Sequence, residues 1–170
     1  MTRPSDPPDL RLAAVCGLYC EACSLYIATR EDPARLSRLA AQFGMTEGEV
    51  ACHGCRSDKR GPYCRVCHME KCARQRGVDF CSACGDYPCA ELKAFQAERP
   101  HRRELWESLE RIRDRGWECW LEEMRRHYAC PACGTLNSAY DAACRKCGTE
   151  PSCEYVARHG DAIQEFLARH

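Results

Sequence analysis

Hydrocarbon is what this chain has little of. Leu, Ile, Val and Phe together account for 24 of its 170 residues, about 14%, where a chain below ~20% struggles to bury a core from such side chains alone. Net charge is absent as well: 25 basic residues balance 25 acidic ones. That balance argues against charge-driven disorder and leaves no global electrostatic pull toward nucleic acid. No run approaches the ~18 apolar residues of a membrane span. The opening Met-Thr-Arg-Pro-Ser-Asp-Pro-Pro-Asp-Leu lacks the apolar segment of a secretory signal. Cysteine, by contrast, is abundant: 17 residues, one in ten, which also inflate the 45% apolar fraction. An odd cysteine count without a signal speaks against a secreted disulfide scaffold. The expectation is a cytoplasmic metal protein.

Six Cys-x-x-Cys pairs begin at Cys20, Cys52, Cys64, Cys81, Cys130 and Cys144. Two intervening residues let a tight turn aim both sulfurs at one ion about 2.3 Å away. A tetrathiolate zinc centre carries a formal charge of about −2, so several of them would make the protein acidic. The 21 arginines can screen those centres locally.

The expected architecture is a small, metal-rich, mainly α protein with irregular loops. Residues 1–9 read as a disordered tail, 10–99 as a multi-metal cysteine module, and 100–128 as an amphipathic helical linker. A zinc ribbon follows at 129–150, then a C-terminal helix over 151–170. Within the module, Glu21 to Arg30 reads as one helix. A second has Asp32 as N-cap, Pro33 in the first turn, a stripe of Leu36, Leu39, Ala40 and Phe43, and Gly44 as its stop. Residues 90–99 form a helix ended by Pro100. Two amphipathic helices, 101–115 and 117–128, are divided by Gly116, with Leu105, Leu109, Ile112, Trp117, Trp120, Leu121, Met124 and Tyr128 at helical spacing. In the tail, Asp161 and Gln164 suit a capping box.

The C-terminal block is the most specific signal. Cys130-Pro-Ala-Cys133-Gly and Cys144-Arg-Lys-Cys147-Gly are two zinc knuckles, with glycine accepting the turn after each second cysteine. Four thiolates leave no open coordination position, so the role is structural. Leu136 and Tyr140 supply the main bulk of this short hairpin, and metal would supply most of its stability, on the order of 10–16 kcal/mol of apparent binding energy.

The front region holds eleven cysteines: Cys16, Cys20, Cys23, Cys52, Cys55, Cys64, Cys67, Cys72, Cys81, Cys84 and Cys89. The spacing Cys64-x2-Cys67-x4-Cys72 repeats as Cys81-x2-Cys84-x4-Cys89, suggesting a duplicated metal unit. In chain order, Cys52, Cys55, Cys64 and Cys67 form one four-ligand site, and Cys72, Cys81, Cys84 and Cys89 another. An interleaved pairing of Cys64 and Cys67 with Cys81 and Cys84 is also open. Cys16, Cys20 and Cys23 are left over. A fourth ligand from His53, His68, Cys119 or Cys153 would close a zinc site there. The same Cys-x3-Cys-x2-Cys spacing serves [4Fe–4S] clusters in radical enzymes, but Ala22 stands where an aromatic is usual and the alternating strands and helices of a barrel are missing. The ferredoxin run is absent too, since Pro88 precedes Cys89 instead of following it. Zinc is therefore favoured, at three or four ions in all, with a [4Fe–4S] cluster in the N-terminal region as the alternative.

Cys16-Gly-Leu-Tyr-Cys20, Cys52-His-Gly-Cys55-Arg, Cys72-Ala and Phe80-Cys81-x2-Cys84-Gly-Asp-Tyr-Pro-Cys89 resemble a bacterial and archaeal cysteine-rich family, domain of unknown function thirty-seven ninety-five. Gly116-Trp117-x2-Trp120, Tyr128-Ala-Cys-Pro-x-Cys-Gly and Tyr140-Asp are similar to its longer members, which end in a zinc ribbon. Ala139 departs from the pattern, where an aromatic beside Tyr140 is expected. The resemblance implies a metal-binding protein without an assigned activity, whose front cysteines are ligands position by position.

Three functions follow as expectations. The first is a non-enzymatic zinc protein that supports a protein partner through its surface, of open oligomeric state. The second is an iron–sulfur protein with its cluster on Cys16, Cys20 and Cys23. The third, and least supported, is a nucleic-acid-binding zinc ribbon, because the arginines of 101–126 alternate with Glu and Asp at pairing distance. No nucleophile–base pair stands out, so an enzyme is the lesser expectation.

Overall fold

The computed structural model describes residues 7–169. It is mainly helical, and its only strand-like features among the described residues are two isolated antiparallel bridges, Ala13 with Tyr19 and Ala129 with Leu136. Most of the segment read as a disordered tail, residues 1–6, lies outside the described residues. Asp9, however, is ordered and caps a 3-10 turn at Leu10–Leu12 by accepting from the Arg11 backbone N–H.

The predicted helix after the first cysteines is divided. Cys20–Ala22 is a 3-10 turn, and α1 runs Ser24–Glu31. Cys23 between them is extended, which lets the chain turn around its sulfur before the helix begins. Helix α2, Pro33–Phe43, starts as expected: Asp32 accepts from the Arg35 N–H, and Gly44 ends it in a left-handed conformation. The stripe of Leu36, Leu39 and Phe43 packs with Leu25, Ala40, Val50 and Cys52 in a small satellite core. Short helices α3 (Glu47–Val50) and α4 (Pro62–Arg65) precede α5 (His68–Arg76). After α6 (Ala90–Ala97) the chain makes a 3-10 turn at Pro100–Arg102.

Helices α7 (Leu105–Arg115) and α8 (Trp117–His127) pack against each other across Gly116. They do more than link. Leu105, Leu109 and Trp120 are fully buried and share one core with Val15, Cys16 and Phe80 from the front, and with Cys153, Tyr155 and Ile163 from the last helix. Helix α7 also packs on the 3-10 turn Cys81–Ala83. The amphipathic spacing is therefore a core signal: the apolar stripe of α7 and α8 is one wall of a core shared with the front of the chain and the last helix.

The last helix, α9, is continuous from Glu154 to Arg169. Asp161 lies in its middle, so the expected capping box with Gln164 does not form. The helix starts earlier because Tyr155 and Val156 are buried in the main core and tie down its first turn.

A charged group is folded into this core. His127, at the end of α8, is buried, with Nε2 2.7 Å from Glu104 Oε2 and Nδ1 3.4 Å from Glu154 Oε2. His159 Nε2 takes the other Glu104 oxygen at 2.9 Å. The Nε2 approach of His127 is a charge contact without hydrogen-bond alignment. Burial disfavours the His127 cation, but Glu104 and Glu154 outweigh it and hold the imidazole pKa above its usual value. Burial likewise opposes the Glu104 anion, and the two histidines still hold that carboxyl below its usual range.

A raised imidazole stabilises the fold fully below its unfolded pKa of about 6.5, and the contribution fades as pH rises through the folded value. We expect His127→Asn to lower the melting temperature more at pH 6 than at pH 8, the gap to wild type narrowing by a few degrees. An equal gap at both values would mean that His127 is neutral in the fold.

Candidate metal centres

The C-terminal block is built from two matching turns. Cys130 N–H donates to Thr135 O at 2.8 Å and Gly134 N–H to Cys130 O at 2.9 Å. Cys144 N–H donates to Thr149 O and Gly148 N–H to Cys144 O, both at 2.9 Å. Gly134 and Gly148 sit at φ 72° and 74°, a left-handed geometry that costs a residue with a Cβ roughly 1–2 kcal/mol. The two turns face each other. Cys130 Sγ is 3.6 Å from Cys147 Sγ, and Cys133 Sγ is 3.7 Å from Cys144 Sγ. All four sulfurs lie within 4.8 Å of one another. Four thiolates around one zinc are separated by about 3.8 Å, the edge of a tetrahedron with 2.3 Å arms. The donor set is therefore already shaped for one tetrahedral ion.

The surroundings favour thiolate. Burial raises the Cys144 thiol, but the backbone N–H groups of Cys147 and Lys146 and the neighbouring Cys130 and Asn137 bring it down to about 6. The Thr149 hydroxyl beside Cys147, at 3.2 Å, lowers that thiol as well. Cys130, where burial dominates, is raised.

Sequence reasoning missed Asn137. It is fully buried, donates to Thr135 O at 2.9 Å and Ser152 O at 3.2 Å, reaches Cys144 Sγ at 3.7 Å, and accepts from the Arg145 N–H at 3.0 Å. One side chain thus joins both knuckles to the start of α9. An asparagine between two knuckles looks like an ordinary turn residue, and only burial distinguishes it. Ala139 is buried too, in the main core. Leu136 and Tyr140 pack against that core, and Tyr140 Oη pairs with His101 Nδ1 at 2.6 Å.

Among the front cysteines, Cys72, Cys81, Cys84 and Cys89 line a single cavity. Burial pushes the Cys81 thiol up to about 12, reinforced by Cys89, Cys72, Cys84 and Cys67. The other seven interdigitate. Burial raises Cys16, with Cys55 and Cys67 as the nearest like charges. It also raises Cys20, beside Cys55 and Cys23, and Cys23, beside Cys52. Cys64 is raised by burial and by Cys23, Cys55, Cys52 and Cys67. The Cys55 N–H donates to Cys20 Sγ at 3.3 Å. The triad of Cys16, Cys20 and Cys23 is thus merged with Cys52, Cys55, Cys64 and Cys67 instead of standing apart.

Gly54 holds part of this arrangement. At φ 112° its Cα approaches the chain so closely that a Cβ would meet Arg11 O at 2.5 Å, and Arg56 beside it donates to Ala13 O at 2.9 Å. The residues considered as a fourth ligand for the triad have other surroundings. His53 is exposed, and His68 Nε2 pairs with Glu91 at 2.5 Å. Cys119 Sγ contacts Glu123 at 3.6 Å, and Cys153 is buried beside Ser152.

Replacing Asn137 with Ala would strand the Arg145 N–H and the Ser152 carbonyl in the interior, at about 1–3 kcal/mol for each group. We expect the melting temperature of the metal-loaded protein to fall by roughly 5–15 °C with the metal content of the C-terminal site unchanged. A loss under 2 °C or so would show that Asn137 does not join the ribbon to α9.

No curated protein and no solved structure matches this chain. A family model described as a protein of unknown function (DUF3795) matches residues 12–94. The match spans all eleven front cysteines and stops short of the C-terminal four. Residues 12–94 are thus a cysteine-rich segment similar to the DUF3795 family.

Proposed function

We propose that this is a non-enzymatic metal–thiolate protein in which zinc at Cys130, Cys133, Cys144 and Cys147 clamps a metal-bearing DUF3795 domain into a surface for a protein partner. The observation that carries the reading is the closed set of four sulfurs at 3.6–3.7 Å across the two knuckles. Such a site leaves no coordination position for substrate, so its ion acts on shape.

The clamp runs through side chains that the knuckles position. Asp141 binds Arg35 of α2 at 2.9 Å with both side chains largely buried. Ser138 Oγ meets Ser24 Oγ of α1 at 2.9 Å, and Arg145 pairs with Glu31. Zinc that orders residues 130–147 thereby orders α1 and α2 beside the front cysteines. The domain's own thiols, Cys16, Cys20, Cys23, Cys52, Cys55, Cys64, Cys67, Cys72, Cys81, Cys84 and Cys89, hold the remaining metal. All 17 cysteines are free, which suits a reducing compartment such as the cytoplasm, and no helix among the described residues is long and apolar enough to cross a membrane.

The surface offered to a partner includes Tyr63 and Val66, 61% and 83% exposed, carried on α4 and the residue that ends it. Pairing of Arg111 with Glu123 and of Arg125 with Glu21 favours a protein over a nucleic acid as the partner.

Removing metal with a strong chelator under reducing conditions should collapse the far-UV helical signal and abolish the cooperative melt, and zinc should restore both. An unchanged melting curve after complete metal removal would sink the scaffold reading. In pull-downs, Val66→Asp should weaken partner capture without changing the melt, while salt-sensitive binding of nucleic acid would favour the other class of partner.

A further inference from the structure

We propose that Cys133 and Cys147 are the sites at which a peroxide oxidises this protein, each closing a disulfide to the buried cysteine it faces across the ribbon, and that this releases α1 and α2. The inference rests on the reading that zinc at the ribbon clamps those helices, and it names the chemistry that undoes the clamp.

A tetrahedral ion is served by four equivalent donors, and these four are not equivalent. Each knuckle presents a buried cysteine first and an exposed one second: Cys130 and Cys144 are buried, Cys133 and Cys147 exposed. The knuckles are crossed, so that every exposed sulfur has a buried one opposite. Cys147 Sγ lies 3.6 Å from Cys130 Sγ, and Cys133 Sγ lies 3.7 Å from Cys144 Sγ. The neighbours Ala132, Gly134 and Gly148 are small and themselves exposed, so they do not bar a small oxidant from the outer sulfurs. One sulfur of each pair is thus placed to meet the oxidant and the other to resolve the product.

The exposed thiolate attacks one oxygen of hydrogen peroxide. The O–O bond breaks, an S–O bond forms and hydroxide leaves. The buried thiolate then attacks the sulfenic sulfur, the S–O bond breaks, the S–S bond forms and a second hydroxide leaves. Together the two sulfurs have given two electrons to the peroxide. A disulfide length of about 2 Å draws the knuckles together and withdraws two of the four donors, which leaves no closed tetrahedral set.

The clamp lies on the segment that this movement displaces. Ser138 and Asp141 fall between Cys133 and Cys144, and Arg145 follows directly. These side chains hold Ser24, Arg35 and Glu31. Asn137, on the same stretch, touches Cys144 Sγ at 3.7 Å.

The test treats the full chain, zinc-loaded, reduced and freed of excess thiol, with an equimolar amount of hydrogen peroxide. Disulfide mapping by mass spectrometry should find Cys133–Cys144 or Cys130–Cys147 first, with about one zinc ion per chain passing to a coloured chelator. Amide hydrogen exchange in α1 and α2 should rise severalfold and return to its starting value with glutathione and zinc. Asp141→Asn, which removes the charge paired with Arg35 and leaves the sulfurs untouched, should show part of that rise before peroxide and release zinc at the wild-type rate.

A first disulfide at Cys23, the chain's other exposed cysteine, or within one knuckle, overturns the assignment. So does exchange in Asp141→Asn equal to wild type both before and after peroxide. Zinc removal by a chelator under reducing conditions separates the two readings. If it loosens α1 and α2 while peroxide does not, the oxidation sites are wrong and the zinc clamp stands. If it leaves both helices unchanged, the clamp falls and the release falls with it.

Discussion

Eleven sulfurs gathered into one half of a small protein cannot ionise together without cations among them. Burial raises the thiols of Cys16, Cys20, Cys23, Cys55, Cys64 and Cys81, and in each case neighbouring cysteines push in the same direction. Protein charge offers little relief inside the cluster, where Arg76 reaches Cys84 and most other arginines pair with carboxylates. A bound cation reverses the sign of this interaction: the crowding that penalises several thiolates becomes the donor set that holds the ion. The chain's irregular loops, its short helices α3 and α4, and the close approach at Gly54 all serve to bring sulfur to sulfur.

The C-terminal site solves the same problem locally. Its knuckles supply backbone N–H groups, the Thr149 hydroxyl and Asn137 to their sulfurs, so Cys144 and Cys147 are already biased toward thiolate. That autonomy suits a clamp. The ribbon forms its site from 18 consecutive residues and then spends its outward side chains, Asp141, Ser138 and Arg145, on α1 and α2. The front region has no such economy, because its thiols come from segments as far apart as Cys16 and Cys67 and are brought together only by the tertiary fold.

This difference explains what could be read from the sequence. The ribbon was legible because Cys-x-x-Cys-Gly, twice, encodes its own turns, and α2 was legible because Asp32, Pro33 and Gly44 mark its ends by local chemistry. The two helices at 101–128 were legible as helices with an apolar stripe and a solvated charged face, while what the stripe packs on is a tertiary property, seen in the full enclosure of Trp120 and Leu109. The division of the eleven front cysteines is a tertiary property. Chain order groups Cys72, Cys81, Cys84 and Cys89, which line one cavity from α5, the 3-10 turn Cys81–Ala83 and the start of α6. It could not show that Cys16 lies beside Cys55 and Cys67, a pairing set by the Cys81 N–H bond to Val15 O and by Arg56 on Ala13 O. Asp161 misled because a capping sequence in mid-helix is overruled once Tyr155 and Val156 anchor an earlier start.

Sulfur and hydrocarbon therefore act in series in this protein. The main core draws on both halves of the chain, with Met69, Phe80 and Leu92 from the front meeting side chains of α7, α8 and α9, and it also contains Cys16, Cys55 and Cys153. No part of the chain could close that core alone: the front contributes sulfur and short segments such as Ala13–Val15, and the back contributes Leu105, Leu109, Trp120 and Ile163. Ordering the thiols places Val15 and Phe80 against α7, and α7 in turn covers Cys81–Ala83. Each supplies the surface on which the other is stable, so a chain in which only 24 of 170 residues are Leu, Ile, Val or Phe folds without enlarging its core, provided the sulfur half is held.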